Sequence, residues 1–396
     1  MQVLLARAVS DMNIEGCVFD TLQLVAMHLG SSFSVTVVER GSPGSGSTGL
    51  SAATVWNPGF DESMPVLFKV RNGSAKIYRQ LEVDGFKCDL KISGSLTLAL
   101  DASQNTFIQQ QYESLKRVGA NVELLKSQMD LIKLDPCFEG TIARSALYFP
   151  ESLHVNTMLA TQSMLDSSKA QLIENTSVVG IKRSADGLYS LTLSNGIQMV
   201  CKHLVLANGI WLPELALKLN LLVPITPVRG QIWMTETVPE WFMNHIVFLV
   251  AAEYEFARYS SRCDIQGIPE KCTHNLNLEK IVSHAYGRKT VDGNILFGGD
   301  RVPLSSPWDH QKLYAADQEL VEENRSYVYS FLPSLQAYEV EGAWAGPSKS
   351  VTNSNKLTLN IVPFSRDGKP IAGSLEKLGY ANLWIIGGYV LFLLVL

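Results

Sequence analysis

The sequence lacks the closely spaced cysteines and the basic runs that are typical of metal-binding and nucleic-acid-binding proteins. Its six cysteines are scattered and form no C-x-x-C pair: Cys17, Cys88, Cys137, Cys201, Cys263 and Cys272. This spacing argues against a metal site and favours free thiols in a reducing compartment. The formal net charge of −5, without a basic run, gives no reason to expect nucleic acid. We therefore expect no metal, no nucleic acid and a cytoplasmic location, with the mitochondrion as the alternative.

A G-x-G-x-x-G turn is also missing from the start of the chain, where a nucleotide-binding βαβ unit would carry it. Residues 20–29 have the apolar spacing of a helix, and Gly30 stands where that helix would stop. The first strand and the glycine-rich turn should precede this helix, with the three glycine positions near Cys17, Phe19 and Leu22. Those glycines let a helix N-terminus reach a pyrophosphate. We therefore expect the phosphate-binding turn to be missing or replaced.

The length and composition are those of a packed globular protein. The chain has 396 residues, of which 46% are hydrophobic and 18% are charged. That composition excludes a disordered or fibrous protein. The length exceeds what one hydrophobic core usually supports, so we expect two interleaved domains.

Residues 33–60 contain the first stretch that indicates a function. Val35 to Val38 is a β-branched apolar run, typical of a buried strand, and Glu39 closes it. An acid that ends the second strand of a βαβ unit is placed to bind the two hydroxyls of an adenosine ribose. The Gly, Ser, Pro and Thr residues that follow leave room for backbone N–H groups to approach phosphates. The alternative is an ordinary parallel strand followed by a flexible surface loop.

A β pattern near the middle of the chain leads into a second informative stretch. Apolar strand segments at 171–174, 177–182, 189–193 and 198–201 are separated by turn residues, including Asn195-Gly196. They run into a buried strand, Leu204 to Leu206, which ends in Ala207-Asn-Gly209. Only small residues there leave room for a ligand against the backbone. Any α/β protein could contain such a strand and turn, and its position after the β pattern is what makes it informative.

The order of nine short segments resembles that of a known family of flavoproteins. They are Val35-Thr-Val-Val-Glu-Arg, Gly46-Ser-Thr-Gly-Leu-Ser-Ala-Ala, Thr176-Ser-Val-Val-Gly-Ile, Leu204-Val-Leu-Ala-Asn-Gly-Ile-Trp, Pro227-Val-Arg-Gly-Gln-Ile, Gly293-Asn-Ile-Leu-Phe-Gly-Gly-Asp, Glu341-Gly-Ala-Trp-Ala-Gly, Asp367-Gly-Lys-Pro-Ile-Ala-Gly and Asn382-Leu-Trp-Ile-Ile-Gly-Gly. No single segment is specific, but their order and spacing are. The chain resembles the FAD-dependent oxidoreductases that include D-amino acid oxidase, glycine oxidase and sarcosine oxidase.

The resemblance implies an α/β fold. A FAD-binding Rossmann-like domain of the glutathione-reductase type would comprise residues 1–85, 150–225 and 340–396. A substrate domain with an antiparallel sheet, residues 86–149 and 226–339, would be inserted into it. The resemblance also implies cofactor-binding roles for Glu39 at the adenosine ribose, Arg40, Ser47, Thr48, Gly49, Leu50 and Ser51 at the pyrophosphate and flavin, Val178 at the adenine, and Ala207, Gly209, Gly387 and Gly388 against the cofactor.

The chemistry implied by the resemblance is hydride transfer from an amino acid or related amine to FAD, with dioxygen or another electron acceptor reoxidising the flavin. An arginine suits the substrate carboxylate, because its planar fork can bind both oxygens. The family usually has an Arg after Trp-Ala-Gly, but here the residues are Gly346-Pro-Ser-Lys-Ser. Arg288 and Arg301 are the catalytic candidates, and Lys349 is a weaker one. The alternative for either arginine is a solvated charge or a surface ion pair.

The end of the chain departs from the family pattern. Small residues and a helix should follow Gly388, but the sequence gives Tyr389-Val-Leu-Phe-Leu-Leu-Val-Leu. Residues 380–396 carry no charge, yet they fall short of the ~20 residues that a spanning helix needs. We expect a buried final strand with an aberrant tail rather than a membrane anchor.

Because both departures fall on cofactor-contacting elements, we expect FAD to bind more weakly than in the relatives. The alternative function is a family fold that binds FAD poorly and has no redox activity. A nicotinamide dehydrogenase is disfavoured by the missing glycine-rich turn.

Overall fold

The computed structural model describes residues 2–6, 34–45, 47–55, 65–250, 285–303, 316–344, 361–365 and 371–388. Within these ranges the strands are β1 (Gln2–Ala6), β2 (Ser34–Val38), β3 (Thr54–Val55), β4 (Lys91–Ile92), β5 (Ser95–Ala99), β6 (Glu123–Leu125), β7 (Ser145–Phe149), β8 (Leu153–His154), β9 (Gln171–Ile173), β10 (Val178–Arg183), β11 (Tyr189–Leu193), β12 (Gln198–Cys201), β13 (His203–Leu206), β14 (Ile225–Thr237), β15 (Ile246–Leu249), β16 (Tyr286–Lys289), β17 (Asn294–Pro303), β18 (Val340–Trp344), β19 (Ile361–Ser365), β20 (Ile371–Ser374) and β21 (Leu383–Gly387). The α-helices are α1 (Pro65–Val83), α2 (Ala102–Arg117), α3 (Gln128–Leu134), α4 (Thr157–Ser168), α5 (Leu212–Leu217) and α6 (Gln318–Phe331).

A mostly parallel sheet forms the first layer, in the order β20-β21-β13-β1-β2-β9. Strands β21, β13, β1, β2 and β9 run parallel, and only the edge strand β20 is antiparallel. Both faces of the sheet are covered, which is the usual condition for parallel strands. Val35 and Val37 pack with α1 and α4 on one face, while Leu204 and Leu206 pack with α5 and the β10-β11-β12 meander on the other.

A second, larger sheet contains strands from the middle of the chain. Its order is β18-β14-β17-β16-β15-β5-β7-β6, and β19 pairs with β14 beside β18. The pairing is antiparallel except between β15 and β5. Trp233, Phe297 and Phe331 lie in the core that joins this sheet to α3 and α6. Trp233 donates its indole N–H to Asn324 Oδ1 on α6 at 2.9 Å, so the largest buried ring is also hydrogen-bonded.

The short strands β3, β8 and β4 form a small antiparallel sheet between these layers. His154 on β8 pairs with Thr54 on one side and with Lys91 on the other. The backbone N–H groups of Ser93 and Gly94 donate to Ser152 O at 3.1 and 2.9 Å, which ties the start of β5 to β8. The small sheet therefore connects the loop after β2 to the large sheet.

The strands expected from the sequence are found within the described ranges, with three differences. The apolar pattern of residues 92–99 predicts one strand, but the structure divides it into β4 and β5, because Gly94 turns the chain with φ +66°. The segment at 171–174 does not join the meander; β9 pairs with β2 in the parallel sheet. Strand β1, which was not recognised in the sequence, lies between β2 and β13.

Several predictions concern residues outside the described ranges. The helix over 20–29, the glycine-rich turn and the tail over 389–396 all lie there. The boundaries of the two domains also stay a prediction, and β18 and β19 pair with β14 of the large sheet. Among the helices that the structure describes, none has the length and apolar character needed to cross a membrane.

Candidate functional site

The carboxyl ends of β2, β1, β13 and β21 lie side by side at one edge of the parallel sheet. Ala6 is paired with Val38 on one side and with Leu206 on the other, so the ends of β2 and β13 are two strands apart. At the usual strand spacing this separation is about 10 Å. Ligands of open α/β sheets bind outside this edge. Glu39, Ala207 to Gly209 and Gly388 all follow directly from these strand ends.

Glu39, the residue expected at the adenosine ribose, is fully buried at the end of β2, with 0% of its surface exposed. Its carboxylate Oε1 accepts a hydrogen bond from the Gly41 N–H at 2.7 Å. Its backbone N–H donates to Ile173 O at 2.8 Å, and its backbone carbonyl accepts from the Thr176 N–H at 2.9 Å. These bonds hold the carboxylate at the edge of the sheet by fixing the backbone on both sides of it.

The small-residue loop after Glu39 is packed against α4. A Cβ added at Gly44, where φ is +73°, would lie 2.7 Å from Met158 Sδ. A Cβ at Gly49 would lie 2.6 Å from the Gly44 carbonyl oxygen. The Gly49 N–H donates to that same carbonyl at 3.0 Å, which closes the loop on itself. Glycine is therefore required at both positions by close packing, and the loop has a defined shape.

Residues 47–51, expected near the pyrophosphate and flavin, continue this loop as a 3-10 turn over Ser47–Leu50. Thr48 and Ser51 are buried. The Ser51 hydroxyl donates to Thr48 O at 3.0 Å and accepts from the Ala53 N–H at 3.3 Å. The side chains of Ser47 and Leu50 lie outside the described part. The turn places this segment between the sheet edge and β3.

Arg40 links two strand ends across the edge. Its guanidinium carbon lies 3.7 Å from the centroid of the Trp211 ring. Trp211 is buried in the 3-10 turn Gly209–Trp211, which follows β13. A guanidinium stacked at this distance is a cation–π contact.

The segment after β13 contains Ala207 and Gly209, which were expected against the cofactor, and between them Asn208, which was not. Ala207 is buried, and Gly209 has a φ of +55°. Asn208 is 4% exposed, and its Oδ1 makes no hydrogen bond to the described residues. A buried polar side chain without a partner is the only signal for this residue, and it appears only in the folded structure.

Gly387 and Gly388 end β21 in tightly packed surroundings. A Cβ at Gly387 would lie 2.7 Å from a methyl carbon of Leu212, and a Cβ at Gly388 would lie 2.9 Å from Ser365 Cβ. Gly388 also has a φ of +71°. These glycines let the backbone of β21 approach α5 and β19 closely.

Val178, expected at the adenine, begins β10 and pairs with Leu193. It lies two residues after Thr176, whose N–H bonds to the Glu39 carbonyl. The Ser177 N–H donates to the Ser194 hydroxyl at 3.0 Å, which fixes this backbone. Val178 is therefore connected to Glu39 through a short, hydrogen-bonded segment.

Arg288 on β16 connects the large sheet to the segment that follows the 3-10 turn at 47–50. Its buried guanidinium donates from Nε to Ala52 O, and from Nη1 to Lys289 O at 3.1 Å. His154, 3% exposed, lies near this cation. Burial, and then the positive charges of Arg288 and Lys91, lower the pKa of His154 from 6.5 to about 3. The imidazole is therefore neutral across the physiological range.

The side chains of the other two expected cations, Arg301 and Lys349, are not described by the structure. Arg301 lies on β17 with its backbone opposite Gly230 on β14, and its side chain lies outside the described part. Lys349 falls in a range that the structure does not describe. Lys289, next to Arg288, donates from Nζ to the Phe242 carbonyl at 2.7 Å and to Asn244 Oδ1 at 3.2 Å. Lys289 is thus bound to the loop between β14 and β15, whereas Arg288 is bound to the segment between the 3-10 turn at 47–50 and β3.

The model of one protein family, described as "FAD dependent oxidoreductase" (DAO), matches residues 24–391. The chain belongs to this family. The match confirms the resemblance seen in the sequence and the prediction that FAD is the cofactor. The match also confirms the predicted enzyme class, the FAD-dependent oxidoreductases.

Curated relatives and solved structures agree with this assignment. Mitochondrial dimethylglycine dehydrogenases from Mus musculus and Rattus norvegicus are 22% and 24% identical over 94% of this chain. The chain spans only 39% and 40% of the length of those relatives. Glycine oxidase from Geobacillus kaustophilus has a TM-score of 0.70 at 18% identity, covering 98% of this chain and 88% of that one. L-proline dehydrogenase from P. horikoshii has a TM-score of 0.72 at 18% identity, covering 98% of this chain and 88% of that one. These structures confirm the DAO fold.

The sheet edge of this DAO-family chain fits FAD. Three buried polar atoms there make no hydrogen bond within the described ranges: Thr161 Oγ1, Asn208 Oδ1 and Ser365 Oγ. Thr161 Oγ1 lies 3.4 Å from where a Gly44 Cβ would be, and Ser365 adjoins Gly388. Buried polar atoms are normally paired, so three unpaired atoms around one sheet edge are compatible with a polar ligand there. The ribose, diphosphate and ribityl groups of FAD offer suitable partners along the whole edge.

Proposed function

We propose that the chain oxidises a small amine or amino acid by transferring a hydride from the substrate α-carbon to FAD. The relatives and structures named for dimethylglycine, glycine and proline support this substrate class. All three compounds have an amine and a carboxylate on one carbon. Loss of hydride from the neutral amine leaves an iminium ion in the substrate, and dioxygen or another electron acceptor then takes the electrons from the flavin.

The observation that carries the substrate class is the position of Arg288. This buried arginine belongs to the large sheet, yet it donates to Ala52 O in the segment after the cofactor-side loop. It therefore places a permanent positive charge where the two layers meet. A guanidinium binds a carboxylate through two parallel hydrogen bonds, which would orient the α-carbon. We propose Arg288 as the carboxylate-binding residue, and Arg301 as the second candidate.

The lowered pKa of His154 supports the proposal that the amine reacts in its neutral form. Burial together with the charges of Arg288 and Lys91 makes protonation of His154 unfavourable. The same surroundings would lower the pKa of a substrate ammonium group bound nearby. A neutral amine has the lone pair that hydride loss from the α-carbon requires. The site thus combines a cation for the carboxylate with conditions that favour the uncharged amine.

The test is an anaerobic reduction experiment with the FAD-loaded protein. N,N-dimethylglycine, glycine and L-proline are mixed with it separately, and the blue absorption band of oxidised flavin is followed. We expect at least one substrate to bleach the band and air to restore it. Trimethylamine, which lacks the carboxylate, is the matched control and should reduce the flavin far more slowly.

Two results would contradict the proposal in distinguishable ways. If FAD binds but no amine bleaches it, the substrate class is wrong. If the chain does not retain FAD at all, the alternative from the sequence, a family fold without redox activity, is favoured instead.

A further inference from the structure

The side chain of Asn208 is buried at the sheet edge formed by the ends of β2, β1, β13 and β21, here called the cofactor edge, and its Oδ1 has no hydrogen-bond partner among the described residues. It is 4% exposed, and Oδ1 is shielded from solvent and unpaired among the described residues. It does not cap the 3-10 turn Gly209–Trp211 that it precedes. An unpaired polar atom in the interior destabilises a folded protein, because its hydrogen bonds to water are lost without replacement.

The backbone around Asn208 is held in place on both sides. The Asn208 carbonyl accepts from the Trp211 N–H at 3.1 Å. Gly209, with φ +55°, turns the chain directly after it. Trp211 in turn lies under the guanidinium of Arg40. These contacts fix the main chain from which the Asn208 amide projects.

A second unpaired group lies beside the same turn. Ser365 is 1% exposed, and its hydroxyl makes no hydrogen bond to the residues that the structure describes. It ends β19, which packs against the turn Gly209–Trp211. Its Cβ lies 2.9 Å from the position of a Cβ on Gly388. An amide and a hydroxyl, both buried and both unpaired, therefore belong to neighbouring elements of the edge.

The position along the edge indicates which part of the cofactor these groups face. Glu39 follows β2, and Asn208 follows β13, two strands away at about 10 Å. With Glu39 as the predicted ligand of the adenosine ribose, Asn208 would lie further along the cofactor, towards its diphosphate and ribityl groups. A side-chain amide can both donate to phosphate oxygens and accept from hydroxyl groups.

We propose that the Asn208 amide is a FAD ligand that hydrogen-bonds the ribityl–diphosphate portion, with the Ser365 hydroxyl as its neighbour in the same contact. The unpaired state in the protein alone is then the consequence of a site shaped for the cofactor. The proposal rests on FAD binding and not on the amine substrate. Its test therefore needs no activity measurement, and it can fail independently of the proposed function.

The test is Asn208→Leu, which keeps the size of the side chain and removes both hydrogen-bonding atoms. We expect the FAD dissociation constant, measured by flavin fluorescence, to rise roughly tenfold, as for the loss of a hydrogen bond. In the protein without FAD, we expect the melting temperature to stay the same or rise by about 1–3 °C, because an unpaired buried group has been removed. Weaker FAD binding together with an unreduced melting temperature of the apoprotein identifies a ligand-binding residue.

Thr97→Val is the matched control. Thr97 Oγ1 on β5 of the large sheet is also buried and unpaired among the described residues. Its replacement should leave the melting temperature of the apoprotein the same or slightly higher, as for Asn208→Leu. The FAD dissociation constant should stay within twofold of that of the parent protein. Asn208→Ala serves as a second variant if leucine does not fit. An unchanged FAD affinity in a stable Asn208 variant would overturn the proposal. Destabilisation of the apoprotein by both Asn208 substitutions would instead assign the residue a structural role and overturn it as well.

Discussion

The guanidinium of Arg40 stacks on the indole of Trp211, with 3.7 Å between the guanidinium carbon and the ring centroid. Arg40 follows β2 and Trp211 follows β13, so the contact crosses the end of β1 that separates them. The two strand ends that border the cofactor edge are therefore connected by side chains as well as by the sheet. This contact keeps the spacing between Glu39 and Asn208 constant.

The first prediction is that Arg40 and Trp211 are energetically coupled. A double-mutant cycle with Arg40→Met and Trp211→Leu, followed by denaturant unfolding of the apoprotein, should give a coupling free energy of about 0.5–2 kcal/mol. The Arg325–Tyr329 pair on α6, with 5.8 Å to the ring centroid and a partly exposed arginine, is the comparison pair. We expect a smaller coupling there. Strictly additive effects of the two substitutions would show that the stacking contributes nothing.

The second prediction concerns Glu39. The variant Glu39→Gln keeps the shape of the side chain but removes the charge that accepts hydrogen bonds from the ribose. We expect it to weaken FAD binding by roughly 1–3 kcal/mol, measured by fluorescence titration. Glu174→Gln, the exposed residue after β9, is a control with the same charge change at the neighbouring strand end. Equal FAD affinities for the parent protein and Glu39→Gln would remove Glu39 from the cofactor site.

The third prediction is a pH dependence of stability that comes from His154. Its pKa is about 3 in the folded protein and near 6.5 when the chain is unfolded. Below pH 6.5 the unfolded chain takes up a proton that the folded protein does not. Stability is therefore fully present above pH 6.5 and falls as the pH decreases towards 3, by up to about 1.4 kcal/mol per pH unit.

The substitution His154→Gln should remove this contribution from the apoprotein. We expect the free energy of unfolding of the variant to change less between pH 6.5 and 4.5 than that of the parent. His203→Gln is the comparison, since burial and Lys202 also lower the pKa of His203 but the residue is less buried. Identical pH profiles of the parent and His154→Gln would mean that folding does not lower the pKa of the His154 imidazole.

The fourth prediction tests Arg288 as the carboxylate-binding residue. Arg288→Lys keeps the charge and loses the two-pronged geometry, so KM for an amino-acid substrate should rise about tenfold or more while FAD stays bound. Because Arg288 also donates to Ala52 O, the melting temperature should be measured alongside. Arg144→Lys, at an exposed arginine just before β7, is a control for the arginine-to-lysine change itself. A KM that Arg288→Lys leaves unchanged would favour Arg301.

The sequence predicts the elements of the site better than its contacts. The run Val35 to Val38 with Glu39 is recognisable because β-branched residues and a terminal acid occur together in five consecutive residues. Strand β1 was not predicted, because five residues without a glycine-rich turn after them are too short a pattern to indicate a nucleotide-binding strand. The placement of β9 beside β2 follows from packing between distant segments, which local periodicity does not encode.

The roles of single side chains were the least predictable part. The sequence gives Asn208 no role of its own, and only its burial and the missing partner of its Oδ1 make it a candidate ligand. His154 carried no pattern at all in the sequence. Its low pKa depends on Arg288, which is 134 residues away in the chain (288 − 154) and becomes a neighbour only through the small sheet.

The order of the strands also determines when the cofactor edge can form during synthesis. Val3 pairs with His203, and Leu204 pairs with Leu383, so the sheet joins segments about 200 and 179 residues apart (203 − 3 and 383 − 204). Most strands of the large sheet are synthesised between these segments, so their hydrophobic core can form first. Contacts between such distant segments form slowly, because the entropy cost of closing a long loop comes before the pairing contributes any stability. A nascent chain therefore has no complete cofactor edge until β21 has left the ribosome.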